Sequence, residues 1–118
     1  MSTKPTGQDL LKEFRTDPSV GTNFECRLHD MAVEGVDAQV VFPNIGLVCS
    51  LGTEASDYYH AWSRAYNHYV WDSFKDRLQR FKPAALLAVD DVDQTLAEAK
   101  RCIKRGFCTL FLLVNVPW

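Results

Sequence analysis

Apolar positions recur along this chain with two different periods. Phe24, Leu28, Met31 and Ala32 fall at i, i+4, i+7 and i+8, a single helical stripe that predicts a helix over 23–34. Thr22 or Asn23 can cap its start, and Gly35 stands where the chain must leave the helix. "VDAQVVF" follows, nearly all apolar apart from Asp37 and Gln39, as expected of a strand covered on both faces, and Pro43 ends it. The helical period returns near Thr53 or Glu54. Ala55, Tyr59, Trp62, Tyr66, Tyr69, Val70 and Phe74 make the predicted buried stripe, and the helix should stop or bend around Lys75 to Arg77. Pro83 fits the mouth of a second strand, "AALLAV". "DDVDQTLAEAKRCIKRG" then predicts a helix with Val92, Leu96, Ala99 and Ile103 as its buried stripe. Asp91 with Gln94 three residues on resembles a capping box, the cations Lys100, Arg101, Lys104 and Arg105 sit at the C-terminal end, and Gly106 closes it. "FCTLFLLV" is the last predicted strand.

Three helices therefore alternate with three strands, an order that implies parallel pairing through right-handed crossovers. Residues 1–22 are polar and broken by Pro5, Gly7, Pro18 and Gly21, so they read as an N-terminal arm with a short helix at "QDLLKEF", and 23–118 as the β/α segment. A doubly wound sheet and a (β/α)8 barrel both fit the alternation. No GxGxxG or GxxxxGK[ST] turn supports a nucleotide-binding doubly wound sheet, and the two glycines of "PNIGLVCSLG" are at the wrong spacing. A complete barrel takes about 250 residues, so the barrel reading makes this chain roughly half of one: a partial TIM barrel of about three parallel strand/helix units.

Composition narrows the function classes. The chain has 118 residues, 47% hydrophobic and 24% charged, with a formal net charge of -2. That is ordinary globular composition without a basic stripe, so nucleic acid is not an expected partner. No apolar run is long enough for a membrane span, and "MSTKPTGQ" lacks the apolar core of a signal peptide, which points to the cytoplasm. Cys26, Cys49, Cys102 and Cys108 form no CxxC pair and read as reduced, mostly buried thiols.

Several stretches in order carry a family resemblance. "RLHDMAVEGVDAQVVFPNIGL", "RAYNHYVWDSF" and "DRLQRFKPAALLAVDDVDQTLAEAKRCIKRGF" resemble the amidohydrolase-related superfamily, in particular the branch of aminocarboxymuconate-semialdehyde and resorcylate decarboxylases. The match spans about residues 25 to 107. The resemblance implies a metal-dependent (β/α)8 barrel that hydrolyses or decarboxylates a small carboxylic acid or cyclic substrate, with a divalent cation, commonly zinc, polarising substrate or activating water. The family's first-strand Asp/Glu-x-His-x-His pattern has no counterpart here, since residues 1 to 23 hold no histidine. No metal or catalytic residue of the family maps onto this chain. The expectation is a fragment or truncated relative, inactive alone and without a cofactor of its own, that self-associates or meets a complementary barrel half. The alternative is a non-catalytic β/α association domain.

Individual residues are weighed against simpler roles. Carboxyl ends of barrel strands carry the chemistry, so Asn44, Asp90 and Asn115 are the candidates for an active-site mouth. Asp91 and Asp93 are explained by capping and by the helix dipole. His60, Arg64 and His68 are spaced four apart, and the two histidines are separated by about 12 Å of helical rise, too far for one metal, so they read, with His29, as solvated. Asn67 is a poor helix former placed mid-helix, which suggests a structural side-chain hydrogen bond more than a substrate contact. Trp62, Trp71 and the tyrosines read as packing.

Overall fold

The computed structural model describes residues 23–44 and 56–112. The chain divides into two compact units, Met1–Asp37 and Ala38–Trp118.

The described part of the first unit is one helix, α1 (Phe24–Glu34). The Asn23 side chain accepts from the Glu25 and Cys26 backbone N–H groups, satisfying two donors that no helical carbonyl can reach. Gly35 adopts the left-handed conformation (φ 71°), and the following N–H, that of Val36, returns to Met31 O at 2.8 Å. Of the expected stripe, Met31 is buried, Phe24 and Leu28 are half-buried, and Ala32 is exposed.

The second unit is α/β. Its elements are β1 (Gln39–Val41), α2 (Ser56–Phe74), β2 (Phe81–Leu87), α3 (Val92–Arg105) and β3 (Thr109–Leu112). The sheet order is β1-β2-β3, and both pairings are parallel. Helices α2 and α3 touch each other and both pack on β2, so the central strand carries the core. Phe81, Ala84, Ala85, Leu86 and Leu87 are buried, which accounts for the near-absence of polar residues in β2. Phe74 of α2 meets Phe81 with ring centroids 5.7 Å apart, and Trp71 meets Phe107 at 5.3 Å.

Three expectations from periodicity need correction. Strand β2 begins at Phe81, so Pro83 lies inside it and not at its mouth. The Arg80 carbonyl accepts from Gln39 N–H at 2.8 Å. Alternate residues of a parallel strand turn their backbone groups to opposite neighbours, so Pro83 turns toward β3, whose pairing starts one residue later at Ala84↔Thr109. The missing N–H of the proline therefore falls just outside the ladder, which is why a central strand tolerates it.

The buried face of α2 takes only Val70 and Phe74 from the expected stripe. His60, Ser63, Asn67, Val70 and Phe74 are the buried positions, while Tyr69 is exposed. Tyr59, Trp62 and Tyr66 are half-buried, with Trp62 and Tyr66 stacked one turn apart. The helix is rotated so that polar groups reach the strand. In α3 the rotation is larger. Glu98 and Cys102 are buried, whereas Val92, Leu96 and Ile103 are exposed. A buried carboxylate, hydrogen-bonded by Asn67, Arg101 and Cys102, has displaced the apolar stripe from the core.

Candidate functional site

Parallel topology brings the carboxyl ends of the strands to one edge of the sheet, and in α/β proteins that edge is where ligands bind. Asn44 follows β1 and is exposed. Asp90 follows β2, and its side chain is 44% exposed. Both lie beyond the carboxyl ends of neighbouring strands. Asn115 lies outside the described residues.

The structure adds a residue that periodicity had placed in solvent. His60 is only 2% exposed, and its Nε2 is 2.9 Å from Asp90 Oδ1. The pair is at ion-pair distance but lacks the alignment of a straight N–H···O bond. The other two histidines are exposed. His68 Nε2 lies 3.3 Å from Asp72 Oδ2, and its Nδ1 is 3.1 Å from Arg105 Nη1. Sequence pattern could not separate His60 from His68, because only the packing of α2 on β2 decides which of two histidines eight residues apart turns inward.

Beside this pair, the start of α3 is closed by Asp91. Its carboxylate accepts from Gln94 N–H and from the Gln94 side-chain amide, each at 3.1 Å. Those two bonds, the backbone one first, hold the Asp91 carboxyl below its ordinary range, with a smaller contribution from His60. Thr95 Oγ1 lies 2.5 Å from Ala88 O and 2.7 Å from Asp91 O, so its single O–H ties the end of β2 to the first turn of α3.

Further into the core, Asn67 completes a strand edge. Leu86, like Arg80, turns its backbone toward the β1 side, but β1 pairing ends at Val41↔Pro83. The Asn67 amide takes the vacant place. Its Oδ1 accepts from Leu86 N–H at 2.6 Å, and its Nδ2 donates to Leu86 O at 2.9 Å. The second Nδ2 hydrogen goes to Glu98 Oε1, also at 2.9 Å. Glu98 in turn accepts from Arg101 Nε and Nη2 at 2.7 and 2.5 Å, and from the Cys102 thiol at 3.4 Å. Burial alone would raise the Glu98 carboxyl, but donation from Arg101, Asn67 and Cys102 outweighs it and holds the group below its ordinary range. The Glu98 carboxylate raises the Arg101 guanidinium, while burial and then Glu98 push the Cys102 thiol up to about 12. Every arm of the Asn67 amide is used within the fold, as its poor helix propensity had suggested, so it is a structural group.

Chemically, the described sheet edge offers the His60–Asp90 acid–imidazole pair and the Asn44 amide. Among the described residues, no three His, Cys, Asp or Glu side chains converge as a divalent-cation site requires. His60 and Asp90 supply two donors already turned on each other. The described residues therefore do not by themselves fit the metal that the family resemblance implies. A comparison with protein-family models, with curated proteins and with solved structures gives no significant match. No helix among the described residues is long and apolar enough to cross a membrane.

Proposed function

We propose that this chain is a strand–helix segment of an amidohydrolase-type (β/α)8 barrel, with a hydrolase or decarboxylase acting on a small carboxylic acid or cyclic substrate as its parent activity. The observation that supports it is the sheet: three parallel strands in sequential order, with both intervening helices packed against the central strand and against each other. A singly wound array is the repeating unit of such a barrel. Apolar side chains left open on the flanking strands, Val40 on one face and Leu110 and Leu112 on the other by the pairing register, suit a sheet whose faces are covered by further elements. In this reading Asn44 and Asp90 line the mouth, His60 orients Asp90, and the metal ligands, with zinc the favoured cation, come from strands outside the described residues. Among the described cysteines only Cys102 is buried, against the expectation of mostly buried thiols, while Cys26 and Cys108 are exposed; all three are free, in accord with a reducing, cytoplasmic setting.

The test is to extend the reading frame through its flanking genomic sequence. An upstream Asp-x-His-x-His strand and a downstream histidine-bearing strand are expected. The extended protein should then bind about one divalent cation per chain by elemental analysis and lose activity on chelation. An extended chain with no such strands, or with no bound cation after metal loading, overturns the proposal.

A second reading, a non-catalytic β/α association domain, is favoured by the same open apolar positions if nothing in the flanking sequence covers them. It predicts a stable assembly of this chain alone, without metal.

A further inference from the structure

The exposed stripe of α3 has a regular spacing. Val92, Leu96, Ala99 and Ile103 are separated by four, three and four residues, the heptad seam of a helix that pairs with another helix. Val92, Leu96 and Ile103 are 68%, 51% and 57% exposed, and Ala99 is half-buried. One flank of the seam carries Asp93 and, one heptad later, Lys100, both exposed. Among the described residues neither is ion-paired. The other flank, which includes Cys102, is held inside the chain's own core.

We infer that α3 is a self-association surface whose occupant is α3 of a second copy, antiparallel to the first about a twofold axis. The register follows from the sequence. With Leu96 of one copy opposite Ala99 of the other, Val92 falls opposite Ile103, and the twofold repeats both contacts. A large side chain then meets a small one at the middle of the seam. In an antiparallel pair, like flanks face each other. Asp93 therefore lies beside the second copy's Lys100, and the twofold supplies the reciprocal pair. In a parallel pair opposite flanks meet, and Lys100 would face Thr95 of the second copy with no charge across from it. The alternation of sign along one flank thus selects the antiparallel, self-complementary arrangement. This pairing goes beyond the barrel reading and stands on α3 alone. In a continued barrel the next helix would compete for the same stripe, so failure of the pairing would leave that reading in place.

The experiment is sedimentation equilibrium on the full chain at low ionic strength, over concentrations up to about 100 µM, with circular dichroism to confirm folding. The wild-type chain should dimerise, and the exposed-site variant L96E/I103E should weaken the dimer by about tenfold or more. Charge reversal then tests the orientation. D93K and K100E each set like charges together at both symmetry-related contacts, so each should self-associate about threefold or more weakly than wild type. Mixed, they should form a heterodimer, and the double variant D93K/K100E should recover the homodimer. A monomeric wild type overturns the inference. So does a dimer that L96E/I103E leaves intact, or a double reversal that associates no better than the folded single variants.

Discussion

Asn67→Ala is the sharpest probe of how this fold is held together. The side chain is fully buried and makes three hydrogen bonds, two to the Leu86 backbone and one to Glu98. Truncation leaves a buried N–H and a buried C=O of the central strand without partners, and each orphaned group costs about 1–3 kcal/mol. Glu98 also loses one of its donors. Alanine recovers about 0.5 kcal/mol of helix propensity. The expected net loss is about 2–5 kcal/mol, a large share of the roughly 5–15 kcal/mol that stabilises an ordinary domain. Urea unfolding followed by circular dichroism reads this as a lower midpoint at unchanged slope. Arg64→Ala, on the exposed side of the same helix, should stay within about 0.5 kcal/mol and controls for general effects on α2. Asn67→Asp sharpens the test. It keeps an acceptor for Leu86 N–H but sets a carboxylate against Leu86 O and Glu98, so its deficit at neutral pH should exceed that of alanine and shrink on acidification. A loss below about 1 kcal/mol for Asn67→Ala would refute the view that this amide stands in for a missing strand neighbour.

Other outcomes follow from the same geometry. The two cap glycines should differ: alanine at Gly35 meets no atom within 4 Å and costs about 1 kcal/mol of left-handed strain, whereas at Gly106 (φ 120°) the new Cβ would lie 3.0 Å from the Trp71 ring and cost more, measurable as unequal drops in the urea midpoint. Because the folded Glu98 carboxyl titrates below its ordinary value of 4.5, its contribution is complete above that pH and is lost as pH falls through the lower folded value. Glu98→Gln should therefore flatten the acid limb of a stability–pH profile, and an unchanged limb would contradict the network. Cys102 shifts the other way, from 9.0 to about 12, so the stability it contributes is complete below about pH 9 and fades as pH rises toward 12. In a Cys49→Ser background, Cys26 and Cys108 should react with a thiol reagent in the folded protein, and Cys102 only on unfolding.

Local chemistry was legible from the sequence alone. Asn23 and Asp91 cap helices, and Gly35 and Gly106 end them, because a cap depends on residues within a few positions of itself. The alternation of elements, and with it the parallel sheet, follows from hydrophobic periodicity and chain handedness. Which face turns inward followed for α1, where Met31 is buried, and only in part for α2, where Val70 and Phe74 of the expected stripe are buried; for α3 it did not follow. Periodicity assumes that apolar side chains win the core, but in α2 they share it with His60, Ser63 and Asn67, and in α3 Glu98 and Cys102 hold it in place of the apolar stripe. An unpaired stretch of strand β2 demanded an amide, that amide offered a further hydrogen, and a buried carboxylate accepted it. The rotation of α2 carried His60 inward to Asp90, and that of α3 turned Val92, Leu96 and Ile103 outward. Those displacements depend on where β1 stops pairing with β2, at Val41↔Pro83, a contact between residues far apart in the chain, and only the assembled sheet decides it.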